Sequence, residues 1–169
     1  MAHIARLYNG LIDGLRILAG VVVFGIFALI VADVLMRLVG LPLWIYASGA
    51  VEYGLLWFAM LGAPWLVRVK GHVFIDAATR LLPTRVQRVL AKIVYLICIA
   101  SSATFAWYSG QLFLDAFVMD QIDTRGADMP LWTLLVPLPV CFTLVTIEFL
   151  RYLLGFDDMY AIEEPPEGM

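Results

Sequence analysis

The chain has 169 residues, 63% of them apolar and 15% charged, with a net charge of −3 and a mean hydropathy of +0.91. Soluble domains hold roughly 45–50% apolar and about 25% charged residues, so the composition excludes a water-soluble domain. It describes an all-α integral membrane protein, expected as one compact membrane domain over residues 1–169.

The first predicted span covers residues 17–38, about the 20 residues that a helix needs to cross a hydrocarbon core of about 30 Å. Arg6 and Arg16 precede it. The apolar run exceeds the roughly 7–15 residues of a signal peptide and reads as a retained anchor. Pro42 sits poorly inside a helix, so the LPL link returns the chain directly into a second span, residues 45–67.

After Arg68, the segment 73–82 puts Val73, Phe74, Ala77, Ala78, Leu81 and Leu82 on one helical face and Asp76, Thr79 and Arg80 on the other. That pattern predicts a short amphipathic helix lying along the membrane interface between spans two and three. Pro83 ends it. Thr84 and Gln87 then have the spacing of a capping box, which opens the third helix.

The third span is expected at residues 86–110, although the apolar pattern runs on to Val118. From Val89 this would be about 45 Å of helix, longer than the bilayer core. Tilting, a break near Ser109-Gly110 or projection into water would each accommodate it, and Gln111 and Asp115 favour projection. The loop 120–129 is polar and acidic. A fourth span follows at 130–150, in which Pro137 and Pro139 predict a bend, and an acidic tail closes the sequence at 155–169.

Lys and Arg in the flanks set the orientation. Arg6, Arg16, Arg68, Lys70, Arg80, Arg85, Arg88, Lys92 and Arg151 fall on one side, against Arg37 and Arg125 on the other. Both termini are therefore expected in the cytoplasm. The basic stretch from Arg68 to Lys92 attracts anionic headgroups, and Arg80, Arg85, Arg88 and Lys92 are assigned as anionic-lipid contacts.

Charges within spans are costly, and each needs a reason. Asp33 and Arg37, four apart in acid-first order, form a local pair, and Glu148 with Arg151 reads the same way. Glu52 has no basic residue three or four positions away on its own helix. A partner such as Arg37 across the hairpin, a contact with another subunit, and a direct role with protons or ions are all open to it.

Cys98 and Cys141 read as small packing residues. The only histidines, His3 and His72, are at the wrong depth for a haem between facing helices, and no clustered ligands suit zinc. No phosphate loop, nucleophile elbow or paired catalytic carboxylates occur, so neither an enzyme nor a cofactor is expected. Small residues recur at helix-packing spacing: Ala28 and Ala32, Ala50 and Gly54, Ala59 and Ala63, and Ser102, Ala106 and Gly110.

One block stands out from Leu41 to Pro83: LPLW, then Glu52, Trp57, LGAPW around Gly62, Arg68, and GHVFID with Gly71, His72 and Asp76. In this order, and in its size and hydropathy layout, the chain resembles the small membrane subunit of tripartite ATP-independent periplasmic (TRAP) transporters. Many members carry an arginine one turn after the glutamate, where this chain has Leu55 and Leu56.

The resemblance implies a non-catalytic inner-membrane subunit that scaffolds a large membrane subunit. A periplasmic binding protein would deliver an organic acid and a sodium gradient would drive its uptake. Asp33, Arg37, Glu52, Trp57, Gly62, Arg68, Gly71, His72 and Asp76 are assigned structural or subunit-interface roles, and His72 and Asp76, four residues apart, are expected to lock the corner after span two. The alternatives are a stand-alone four-span transporter coupling small cations to protons at Glu52, and a quinone- or haem-linked membrane anchor.

Overall fold

The computed structural model describes residues 2–41, 46–69, 84–124 and 128–155. Helix α1 is Ala2–Leu38, α2 is Ala47–Arg68 and α3 is Thr84–Val118. Two short strands, β1 (Ile122–Asp123) and β2 (Met129–Pro130), precede α4 (Leu131–Leu135) and α5 (Pro137–Leu153). Among the described residues, four segments are long and apolar enough to cross a membrane: Arg6–Leu38, Ala47–Arg68, Val89–Val118 and Leu131–Leu153. The interfacial helix expected at 73–82 and the tail from residue 156 lie outside the described residues.

Two spans are longer than their patterns predicted. Helix α1 starts at Ala2 rather than near residue 17, so its 37 residues extend about 55 Å. The charged and polar residues Arg6, Asn9, Asp13 and Arg16 lower the local hydropathy without interrupting the helix. Helix α3 passes the expected boundary at residue 110 and reaches Val118 without a break at Ser109-Gly110.

The helix ends have identifiable causes. At the end of α1, Gly40 adopts φ 78°, and the Gly40 and Leu41 amides donate to the carbonyls of Arg37 and Met36 at 3.1 and 3.0 Å. This Schellman turn satisfies carbonyls that a helix C-terminus leaves free, and glycine adopts its left-handed φ without a steric penalty. Asp120 (φ 46°) serves the same purpose after α3, with the Gln121 amide donating to the Ala116 carbonyl at 3.1 Å. A two-residue antiparallel ribbon pairs Ile122 with Pro130 and Asp123 with Met129, a feature too short for sequence patterning to reveal.

The principal packing runs α1 on α2, α2 on α5, and α5 on α3. The four spans therefore stand in a row rather than closing into the expected compact bundle. Pairwise registers follow from individual contacts. A Cβ on Gly54 would come within 2.7 Å of Ile26 Cγ1, while the Arg16 guanidinium lies over the Trp65 ring at 5.3 Å, so α1 and α2 are antiparallel.

Helices α3 and α5 are also antiparallel. Phe105 stacks on Phe142 at 5.2 Å and Tyr95 on Tyr152 at 5.8 Å. Between these stacks, the Thr146 hydroxyl donates to Ser102 Oγ at 2.8 Å, whose own proton goes to the Cys98 carbonyl at 2.7 Å. Val67, Ala91, Tyr95, Phe149 and Tyr152 form the main buried cluster. It joins α2, α3 and α5 near one end of the row.

At the expected proline bend, Val136 keeps helical angles (φ −47°, ψ −48°) between the two helical segments of the fourth span. The helix changes segment at Val136, whose amide still reaches the Trp132 carbonyl at 3.0 Å. Pro137 has no amide hydrogen, so the Thr133 carbonyl one turn earlier loses its helical donor. The Trp57 indole supplies one instead, at 3.1 Å.

Candidate functional site

The polar groups concentrate at the two ends of the row. At the basic end, Glu148 is 2% exposed, and burying a carboxylate requires compensating charge and hydrogen bonds. Two arginines supply them. Arg68 Nη2 lies 3.2 Å from Glu148 Oε1, and Arg151 Nη1 reaches both carboxylate oxygens at 3.1 and 3.2 Å.

The arginines are themselves held. Arg68 donates to Asn9 Oδ1 at 2.8 Å, and the guanidiniums of Arg68 and Arg151 stand over the Tyr8 ring at 5.2 and 5.5 Å, a favourable cation–π placement. Tyr152 completes the knot by donating its hydroxyl to the carbonyls of Val67 (3.0 Å) and Arg68 (3.1 Å). Those carbonyls belong to the last turn of α2, where i+4 donors run out, and the Val67 carbonyl also accepts a backbone N–H at the cap. The knot thus fastens the start of α1 and the end of α2 onto α5, and with two cations to one carboxylate it keeps a net positive charge.

At the opposite end, Asp33 and Arg37 form their expected local pair at 2.8 Å. Tyr53 donates to Asp123 Oδ2 at 3.2 Å, fixing the loop after α3 to α2 alongside the Trp57–Thr133 bond. Phe117 meets Trp132 edge-on at 5.8 Å, so the same loop is anchored on both sides.

Glu52 differs from all of these. It is exposed, and Asp33 rather than Glu52 occupies the Arg37 side chain. No ion pair involves Glu52 among the described residues. Gly62 also faces open space, for a Cβ there would meet nothing within 4 Å, and Lys92 is exposed. Gly71, His72, Asp76 and Arg80, with the side chains of Arg85 and Arg88, lie outside the described residues.

The structure therefore brings Arg68 together with Glu148 and Arg151, and leaves Glu52 separate. Tyr8, Asn9, Tyr53, Asp123 and Tyr152 are contributors that sequence patterning did not single out. A signal existed for one part of the knot: Arg68 and Glu148 both fall at the basic end of parallel spans. Among the described residues, no group of three or more His, Cys, Asp or Glu side chains could hold a metal ion.

Comparison with known proteins gives concordant results. Residues 26–156 match the family described as "Tripartite ATP-independent periplasmic transporters, DctQ component". The chain is 28% identical over 134 residues to the sialic acid TRAP transporter permease protein SiaT of Haemophilus influenzae (strain 86-028NP), a match covering 79% of this chain and 21% of that protein. It is 31% identical over 102 residues to the C4-dicarboxylate TRAP transporter small permease protein DctQ of Pseudomonas aeruginosa PAO1, covering 57% of this chain and 47% of that protein. The match thus spans about a fifth of the length of the first relative and just under half of the second.

Proposed function

The chain belongs to the DctQ-component family of TRAP transporters, as a multi-pass inner-membrane protein, and from that premise we propose that it is a non-catalytic scaffold for a large membrane subunit. The observation carrying this reading is the single row of four spans. A row encloses no central path for a solute, yet it offers broad apolar surfaces on which a larger protein can pack. The ion pairs among the described residues lie towards the ends of the row.

The basic end, with Arg16, Arg68 and Arg151, is the cytoplasmic end in this reading, which puts both termini in the cytoplasm. The single membrane domain would be completed by the interfacial helix at 73–82, with His72 and Asp76 fixing its corner and Arg80, Arg85, Arg88 and Lys92 meeting anionic lipid. The substrate would be an organic acid delivered by a periplasmic binding protein and driven by sodium. Support for the substrate class comes from the relatives, one named for sialic acid and the other for C4-dicarboxylates, both carboxylic acids.

Reconstitution in proteoliposomes tests the assignment. Sodium-driven uptake of an organic acid should require this chain, the large subunit and the binding protein together. Uptake by this chain alone would replace the scaffold reading with the stand-alone transporter.

A further inference from the structure

The helices at the two ends of the row present unlike surfaces. Over residues 17–32, α1 has no polar side chain, so lipid tails suit its exposed side. Helix α3 packs on α5 and α4, and its exposed side carries Ser101, Thr104, Tyr108, Gln111 and Asp115. These alternate at spacings of three and four residues. At 3.6 residues per turn they fall within an arc of about 80°, turned away from Ser102, Ser109 and Ala116, which are buried.

The depth of this stripe follows from the contacts that bracket it. Tyr95 stacks on Tyr152 beside the arginine knot, and Phe117 meets Trp132 at the opposite end. From Tyr95 to Phe117 is about 33 Å of helix, close to the hydrocarbon thickness of about 30 Å. Ser101, Thr104, Tyr108 and Gln111 lie between those levels, and Asp115 lies at the outer one.

Two of these side chains lack what a membrane interior demands. The Thr104 hydroxyl donates to the Ala100 carbonyl at 2.7 Å, but among the described residues Tyr108 and Gln111 have no hydrogen-bond partner, and Tyr108 is 65% exposed. Lipid tails cannot satisfy a phenol or a carboxamide, whereas polar side chains of a neighbouring helix can. The alternation of three and four is that of a helix–helix seam, in which positions repeating every 3.5 residues keep facing one partner helix.

Charge decides which helix. Asp115 makes no ion pair among the described residues. Two copies of this chain inserted in the same orientation would pair about an axis along the membrane normal, setting Asp115 against Asp115 with no cation on the stripe to separate them. A different chain carrying a basic residue at that level fits the stripe better.

We infer that the polar stripe of α3 receives a transmembrane helix of the large TRAP subunit, which offers hydrogen-bonding side chains to Tyr108 and Gln111 and a basic side chain to Asp115. The inference rests on the scaffold reading and names its contact surface.

The test uses the complex in native membranes. A photo-activated benzophenone amino acid is placed singly at position 107 or 112, exposed on either flank of the stripe, and at position 24 or 27, exposed on α1. Adducts to the large subunit should form at least five-fold more from α3 than from α1. Tyr108→Phe combined with Gln111→Leu should lower recovery of the large subunit at least five-fold while the isolated chain keeps its thermal unfolding midpoint. Asp115→Lys should lower recovery at least ten-fold, and a reciprocal change to Glu at the cross-linked cation should restore it. Adducts arising mainly from α1, adducts from α3 to a second copy of this chain, or unchanged recovery with the Tyr108→Phe and Gln111→Leu pair, as a lipid-facing stripe would give, would each overturn the inference. If the unmodified chain fails to retain the large subunit at all, the scaffold reading falls with it, whereas retention with adducts elsewhere removes only this face.

Discussion

Trp57 of α2 donates its indole hydrogen to the Thr133 carbonyl, 3.1 Å away, filling the acceptor that Pro137 leaves without its helical donor. A net hydrogen bond contributes about 1 kcal/mol, and an acceptor left empty in an apolar setting costs more than the bond contributes. Trp57→Phe should therefore lower the unfolding midpoint of the purified chain. In a Pro137→Ala background the new amide can satisfy Thr133, and the loss from Trp57→Phe should shrink. A double-mutant cycle measured by thermal unfolding in detergent checks this coupling.

The knot at the basic end predicts an order of severity. Glu148→Ala leaves Arg68 and Arg151 facing each other with no carboxylate, and breaking a buried pair from one side costs about 3–5 kcal/mol. Arg68→Ala or Arg151→Ala leaves Glu148 with its other arginine and should cost less than half as much. Thermal unfolding of the three variants should rank them in that order, and equal losses would contradict the shared-carboxylate arrangement.

Tyr152→Phe keeps the stack on Tyr95 and removes only the hydroxyl that serves the Val67 and Arg68 carbonyls. A loss of about 1 kcal/mol is expected. Hydrogen exchange should accelerate in the last turn of α2 more than in its centre.

Gly54 and Gly62 lie on the same helix and should respond oppositely to alanine. At Gly54 the added methyl meets Ile26, and overpacking of this kind costs about 1–3 kcal/mol. At Gly62 it enters open space, so the isolated chain should stay within about 0.5 kcal/mol. Denaturation of the two variants in detergent measures the contrast.

The four spans were legible because hydropathy over 20 residues reports membrane crossing directly. Local pairs such as Asp33 with Arg37 were legible because helical spacing alone brings them together. The knot was not: Arg68 meets Glu148 only once α2 and α5 take a parallel register, which no periodicity specifies. Tyr8 and Asn9 were missed because nearby charges mask the helix that continues through them. The row arrangement was hidden for a related reason, since apolar faces in a membrane protein look alike whether they meet lipid or protein. Trp57 and Pro137 were each noticeable, but their connection runs through a backbone carbonyl that side-chain patterning does not show.

The central claim is that this chain works as a stoichiometric partner of a larger membrane subunit. Gentle detergent extraction of the tagged chain from its native membrane, followed by mass spectrometry of what accompanies it, tests that claim most directly. A much larger multispanning membrane protein in fixed stoichiometry is the expected result. A chain recovered alone or as a homo-oligomer, and active in transport in that state, would contradict the claim and make Glu52 the place to look for coupling.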